Sequence, residues 1–369
     1  MDQLRIESEF EGGNARLIAA TSAEAELEIV ADKDAAWSQW FYFKLCGGKG
    51  RAVTIRICNA RATAYPEGWP GYRVLVSEDG ERWQRMETDY VDGRLILHCR
   101  PQADALWFAY FVPYPLARLE ALLDQARRAG AGVDILGHSF EGRPVYGVTV
   151  GHGPVPVWIV ARQHAGETMA SWWVEGFLRR LLSADPLAAK LLREMCFHIV
   201  PLANIDGAVR GHLRGSASGL DLNRQWDTPD PERAPEVAAV LAAMRQKGCA
   251  AVFDIHGDEV IPHIFADGCD MDPTATPEQR VGVQRFKDAL LKSSPVFQVA
   301  VGYPATYAGS GAQAMCARAV AAHFNAVGIT LEMPFKDCEE CPPGAVWTGD
   351  LARQFGHDCL PAIAAIFEL

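Results

Sequence analysis

His164 and Glu167 stand three residues apart in the segment Arg162-Gln163-His164-Ala165-Gly166-Glu167-Thr168. Both residue types ligate zinc, although a His-x-x-Glu pair by itself also arises by chance near helix starts. Residues 155–161 just before it form a continuous apolar, β-branched run, the pattern of a strand buried on both faces. The C-terminal end of such a strand is where layered α/β domains place their sites. Asp254-Ile255-His256-Gly257-Asp258 repeats the situation, with a strand, a histidine and then a glycine suited to a tight turn. His256 would complete a His-Glu-His set and leave a fourth position open for water, as a catalytic zinc site requires. Zinc brings the pKa of such a water towards about 7 and polarises a substrate carbonyl. That chemistry also needs a base to take the proton and hand it to a leaving amine. Glu332, in the apolar run Ile329-Thr330-Leu331-Glu332-Met333, is the candidate, because a carboxylate within a strand is costly unless a site uses it.

A further cluster is Gly219-Leu220-Asp221-Leu222-Asn223-Arg224-Gln225-Trp226. The planar fork of Arg224 suits a carboxylate, and Asn223 adds donors and an acceptor. Asp221 could orient a zinc histidine through its second ring nitrogen. Asn204-Ile205-Asp206-Gly207 reads as a turn after a strand at 197–202, and Arg210 and Arg214 lie between these segments.

These residues need a scaffold, and 369 residues point to two domains. Residues 1–114 carry short alternating runs at 25–30, 40–45, 52–58, 72–76 and 95–99, separated by turn signals, with Trp37, Trp40, Trp69 and Trp83 as core material. This pattern predicts an antiparallel β-sandwich. Val112-Pro113-Tyr114-Pro115 is the boundary, since two prolines remove backbone donors and disfavour helix before them. In residues 115–369, strands at 155–161, 197–202, 251–255 and 329–333 alternate with helices at 116–128, 168–182 and 236–245 and a final helix within 351–367. Such alternation predicts a layered α/β domain.

Composition narrows the function classes. The chain is 49% hydrophobic and 22% charged, with a net charge of −11 and a pI of about 5.4. That balance argues against nucleic acid or an anionic membrane as partner. No apolar run is long enough to span a bilayer, and residues 1–14, with Asp2, Glu7, Glu9 and Glu11, do not read as a secretory signal. Ten cysteines without regular spacing predict free thiols in a cytoplasmic setting, and the lone pair Cys338 and Cys341 is expected to have no metal or redox role. Self-association is compatible with all of this.

Taken together, His164-x-x-Glu167, Asp221-x-Asn223-Arg224, His256-Gly257-Asp258 and Thr330-Leu331-Glu332 resemble the zinc carboxypeptidases, and more narrowly their cytosolic carboxypeptidase branch. The resemblance covers essentially the whole chain and implies a β-sandwich ahead of a three-layer α/β/α catalytic domain with a mixed sheet. It further implies one zinc ion held by His164, Glu167 and His256, with Glu332 as general base and then acid. Asn223 and Arg224 would grip the terminal carboxylate of a peptide or protein substrate, Arg214 would stabilise the oxyanion in preference to Arg210, and Asp221 would stand behind His164. Eukaryotic members of the branch trim glutamates, so an acidic C-terminal residue is the expected substrate. Three positions depart from the family pattern: Ala165 replaces a proline, Ile205 interrupts Asn-Pro-Asp-Gly, and the family's mobile tyrosine has only Tyr303 and Tyr307 as candidates. A zinc deacylase of the aspartoacylase type, acting on N-acyl amino acids, would share the His-x-x-Glu…His set.

Overall fold

The computed structural model describes residues 3–304 and 311–369. Two five-stranded sheets built before residue 110 form the sandwich. One runs Arg5–Glu7, Tyr42–Cys46, Ala105–Ala109, Val74–Ser77, Gln84–Met86, and the other Arg16–Ala20, Glu24–Glu28, Val53–Ile57, Arg94–Cys99, Thr88–Val91. Period-two alternation puts Val53, Ile55 and Ile57 of one sheet and Phe43 and Leu45 of the other into the shared core. Phe43 stacks on Phe108 at 5.2 Å, and Trp40 and Trp69 are buried, whereas Trp37 and Trp83 are half-buried. Pairing is antiparallel except between Glu24–Glu28 and Val53–Ile57, which run parallel.

The second layered unit is a seven-stranded mixed sheet in the order Gly132–His138, Pro144–Val150, Met195–Val200, Val155–Ala161, Ala251–Asp258, Val327–Pro334, Phe265–Gly268. Its four strands from Met195–Val200 to Val327–Pro334 are mutually parallel. Alternate residues feed opposite layers. Val157, Ile159 and Ala161 join one core with the helices Thr168–Leu181, Pro277–Ser293 and Gly349–Asp358, while Trp158 and Val160 join another with Pro235–Lys247 and Cys316–Phe324. Strand Ala251–Asp258 is buried at every position, so its Asp254, His256 and Asp258 must find polar partners inside the fold. The parallel strands end together, so loops and side chains after Ala161, around His256 and at Glu332 meet at one edge.

The strands Gly132–His138, Pro144–Val150 and Phe265–Gly268 add to the four expected from the sequence, and three further departures have a plain local cause. Residues 351–367 hold two helices, Gly349–Asp358 and Leu360–Ile366, because Pro361 fits only the first turn of a new helix. Asn204 begins the helix Ile205–Arg210 instead of a turn, its Oδ1 accepting the N–H of Gly207 at 3.0 Å. Gly257 lies inside its strand, with no tight turn there. A Cβ on it would come 2.5 Å from Met169 Sδ and 3.3 Å from Glu167 Cγ, so glycine keeps room for the carboxylate next door.

Candidate metal centre and cleft

The turn that delivers His164 starts from Arg162, whose φ of 56° is left-handed and uncommon for a residue with a side chain. The buried guanidinium holds that conformation, donating from Nε to Ala165 O at 2.9 Å and from Nη1 to Tyr114 O at 3.0 Å. Glu167 then lies immediately before the helix Thr168–Leu181. His256 comes from the neighbouring strand, paired in register with Glu332 on the next one along.

Three side chains converge. Glu167 Oε1 lies 2.6 Å from His164 Nδ1, Glu167 Oε2 lies 2.8 Å from His256 Nδ1, and the two Nδ1 atoms are 3.1 Å apart. One ligand atom from each residue falls within 4.8 Å of the others, and all three residues are buried. Among the described residues no other such group of three occurs. Each imidazole turns its far nitrogen to a carboxylate, His164 Nε2 to Asp221 Oδ1 at 3.0 Å and His256 Nε2 to Asp254 Oδ1 at 2.8 Å. This fixes both rings with Nδ1 facing the shared point, the arrangement in which neutral histidines ligate a metal. Two imidazoles and a carboxylate fit a zinc ion.

A cavity of about 260 Å³ opens over this point, lined among others by Tyr65, Arg214, Asn223, Arg224, Glu259, Tyr303 and Glu332. Arg214 reaches Asp221 Oδ2 from Nε at 2.9 Å and from Nη2 at 2.8 Å. Arg224 donates to Asn223 O at 2.8 Å and is 3.8 Å from Asp221. Asn223 accepts the N–H of Cys316 on Oδ1 at 2.8 Å, which turns its Nδ2 to within 3.0 Å of His256 Nε2. Arg210 lies elsewhere, paired with Glu141. Tyr303 donates to Asp258 Oδ2 at 2.8 Å and Glu332 Oε1 at 3.3 Å, and Tyr307 falls outside the described residues. Glu332 lines the cleft, and its buried Oε2 has no hydrogen-bond partner among the described residues.

The charges are arranged in opposition. Burial works to raise the Glu167 carboxyl, but His164 and His256 overcome it and hold the group down to about 2. Asp221 is likewise buried, and Arg214 and His164 keep it well below the usual carboxylate range. Burial pushes the Glu332 carboxyl well above that range, His256 opposing and Glu167 and Asp258 reinforcing the rise. Glu167 and Glu332 are thus pushed in opposite directions, a contrast that recurs at functional sites.

Several contributors lie outside the candidate residues that the sequence pattern marks. Asp254 sits two residues before His256 on the same strand, and its Oδ1 also accepts from Gln163 Nε2 at 2.6 Å; Gln163 Oε1 in turn accepts from Trp226 Nε1 at 2.6 Å. In the sequence, Asp254 stands out as a carboxylate in a largely apolar strand. Asn204 donates to Gln163 O at 3.0 Å and Gly215 O at 3.1 Å, tying the His164 turn to the Arg214 loop. Asp32, from the sandwich, accepts the backbone N–H groups of Leu213, Arg214 and Gly215 at 2.7, 2.8 and 2.7 Å.

A buried two-histidine, one-carboxylate donor set at parallel strand ends, open on one side to a cleft with an acid and two arginines, defines a metallohydrolase. Residues 120–337 match the zinc carboxypeptidase family model, and residues 6–111 match the cytosolic carboxypeptidase N-terminal domain. The chain belongs to the zinc carboxypeptidase family, and zinc is the metal of that family. A metallo-carboxypeptidase from Burkholderia cenocepacia superposes with a TM-score of 0.95 at 38% identity, covering 99% of both chains. One from Pseudomonas aeruginosa, solved in complex with (2-guanidinoethylmercapto)succinic acid, gives 0.94 at 36% identity, again over 99% of both. An uncharacterised protein of Zymomonas mobilis is 41% identical over 99% of this chain and 97% of its own. Mouse cytosolic carboxypeptidase 1 is 28% identical over 74% of this chain, which spans only 27% of that longer protein. No helix among the described residues is long and apolar enough to cross a membrane.

Proposed function

We propose that the protein removes C-terminal residues from peptides, with Glu332 as the base and the arginines as the carboxylate and oxyanion grips. The observation carrying this reading is the placement of Glu332 Oε2, an unpaired buried acceptor lining the same cleft as His164, Glu167, His256, Arg214 and Arg224. When bound, zinc supplies Lewis acidity and an activated water. Glu332 Oε2 takes the proton of the attacking water and delivers it to the nitrogen of the leaving residue. Arg224, whose Nη1 lies on Asn223 O, presents the rest of its guanidinium to the substrate's terminal carboxylate. Arg214, held on Asp221, faces the developing negative oxygen. Asp221 and Asp254 keep Nδ1 of each histidine aimed inward.

Residues 1–114 and 115–369 are read as the two domains, and the cytoplasm as the site of action, in keeping with relatives named cytosolic carboxypeptidases. A C-terminal glutamate is the first substrate to try, on the strength of that likeness. The cleft itself offers Asp258 and Glu259 as well as its arginines, so the side-chain preference does not follow from charge alone. Release from peptides ending in Glu, Lys, Phe and Ala, compared with N-acyl amino acids, tests both statements. Preference for N-acyl amino acids would turn the assignment to a deacylase, and cleavage of the other peptides ahead of the glutamate one would remove the acidic preference.

A further inference from the structure

The sandwich does more than pack beside the cleft. Its turn Pro66–Gly68 is pressed against the loop after His256, so closely that a Cβ on Gly68 would lie 2.5 Å from Glu259 O. Tyr65, which opens this turn, is fixed through its backbone by Gln39: Tyr65 N–H donates to Gln39 Oε1 at 2.8 Å, and Gln39 Nε2 donates to Tyr65 O at 3.1 Å. The half-buried Tyr65 ring lines the cleft, and its Oη accepts from Arg214 Nη1 at 3.2 Å. A guanidinium only donates, so this bond leaves the phenolic proton unused. Among the described residues the hydroxyl has no other hydrogen-bond partner. Burial, with Glu259 nearby, raises the phenol's pKa, which keeps that proton in place across the working range. The loop bearing Arg214 is held from the same side, by Asp32 on three backbone N–H groups and by the N–H of Lys33, which donates to His212 Nε2 at 3.1 Å.

We propose that Tyr65 is a substrate-contacting residue contributed by the N-terminal sandwich, donating its O–H to the scissile carbonyl oxygen beside Arg214. Tyr65 and Arg214 then form one donor pair: the arginine's bond to Oη polarises the O–H, and both donors face the oxygen that gains charge. No proton is transferred; the O–H bond stays intact and only the hydrogen bond strengthens in the transition state. This rests on the oxyanion role given to Arg214 above.

The test is Tyr65→Phe, Arg214→Lys and the double variant, assayed on the peptide the parent cleaves best, with zinc content and thermal midpoint measured alongside. Tyr65→Phe is expected to lower kcat by roughly 10- to 100-fold, up to the lower bound of the loss seen when a main oxyanion donor is removed, with KM within about two-fold. Zinc content and midpoint should stay at parental values, which a merely structural tyrosine would not guarantee. In the Arg214→Lys background the same change should cost several-fold less, because the pair acts together. A Tyr65→Phe kcat within about two-fold of the parent overturns the proposal, as does an undiminished effect in the Arg214→Lys background. Full kcat in Arg214→Lys alone would remove the role of Arg214 and the proposal with it, while leaving hydrolysis by the parent enzyme standing.

Discussion

Asp254 and His256 lie two residues apart on one strand, and Asp254 Oδ1 meets His256 Nε2 at 2.8 Å. Two residues apart on a strand means the same face, so the backbone itself aligns the pair. Asp254 is fully buried, its Oδ2 has no partner among the described residues, and its Oδ1 is shared with Gln163. With Glu167 on the opposite side, Asp254 overcomes the effect of burial and pushes the His256 imidazole well above its usual range.

Asp254→Asn should therefore weaken zinc binding by about 10- to 100-fold, the usual cost of losing a partner behind a ligating histidine. An amide can present its N–H to Nε2 and so favour the wrong tautomer. Competition with a chelator measures the change; affinity equal to the parent's would show that Asp254 does not set the orientation of His256.

Glu332→Gln should keep zinc and lose turnover. The amide preserves size but accepts no proton at the working position, and general-base loss costs about 10²- to 10⁴-fold. Metal analysis on the same preparation as the kinetic assay separates this outcome from damage to the ligands.

Peptides whose terminal carboxylate is capped as an amide should be poor substrates, and Arg224→Ala should erase the difference. A hydrogen bond to a charged group contributes about 1.5–3 kcal/mol, so kcat/KM should fall by roughly 10- to 150-fold in either case. If Arg224→Ala discriminates between acid and amide as sharply as the parent does, another group holds the carboxylate.

Stability should fall between about pH 4.5 and 7 through Glu236. The residue is buried, Phe140 N–H donates to its Oε1 at 2.9 Å, and burial, reinforced by Asp206, pushes its carboxyl from 4.5 up to about 7. The unfolded chain loses this proton first as pH rises, so ionisation favours unfolding through that window and the full cost, about 3 kcal/mol, is reached above pH 7. Denaturant midpoints across the range should show Glu236→Gln flatter than the parent; parallel curves would contradict the assignment.

Much of the site was legible because each piece carries a local cost. A histidine and glutamate after an unbroken apolar strand, a second histidine in another buried strand, and a glutamate inside a third are expensive placements that mark a candidate site. Helices were less legible. Pro186–Glu194 and Pro277–Ser293 are not apparent from the apolar pattern although both start with proline after a capping residue, Asp185 and Thr276, because local starts say little about which face a neighbour will bury.

The sequence by itself determined the central strands and the candidate ligands on them, since apolar period, proline and glycine act over a few residues. Only the tertiary structure decided which distant groups touch: Tyr65 on Arg214, Asp32 under residues 213–215, Gln163 between Asp254 and Trp226. These contacts span up to 183 residues, as from Asp32 to Gly215, and a polar side chain at such a separation leaves no periodic trace. Its partner is set by how the sandwich packs on the mixed sheet, where Tyr110 stacks on Phe335 at 4.4 Å and buried Arg85 donates to Phe335 O at 2.7 Å. That packing is a property of shape and buried area, and a hydrophobic pattern encodes how much is buried without encoding against what.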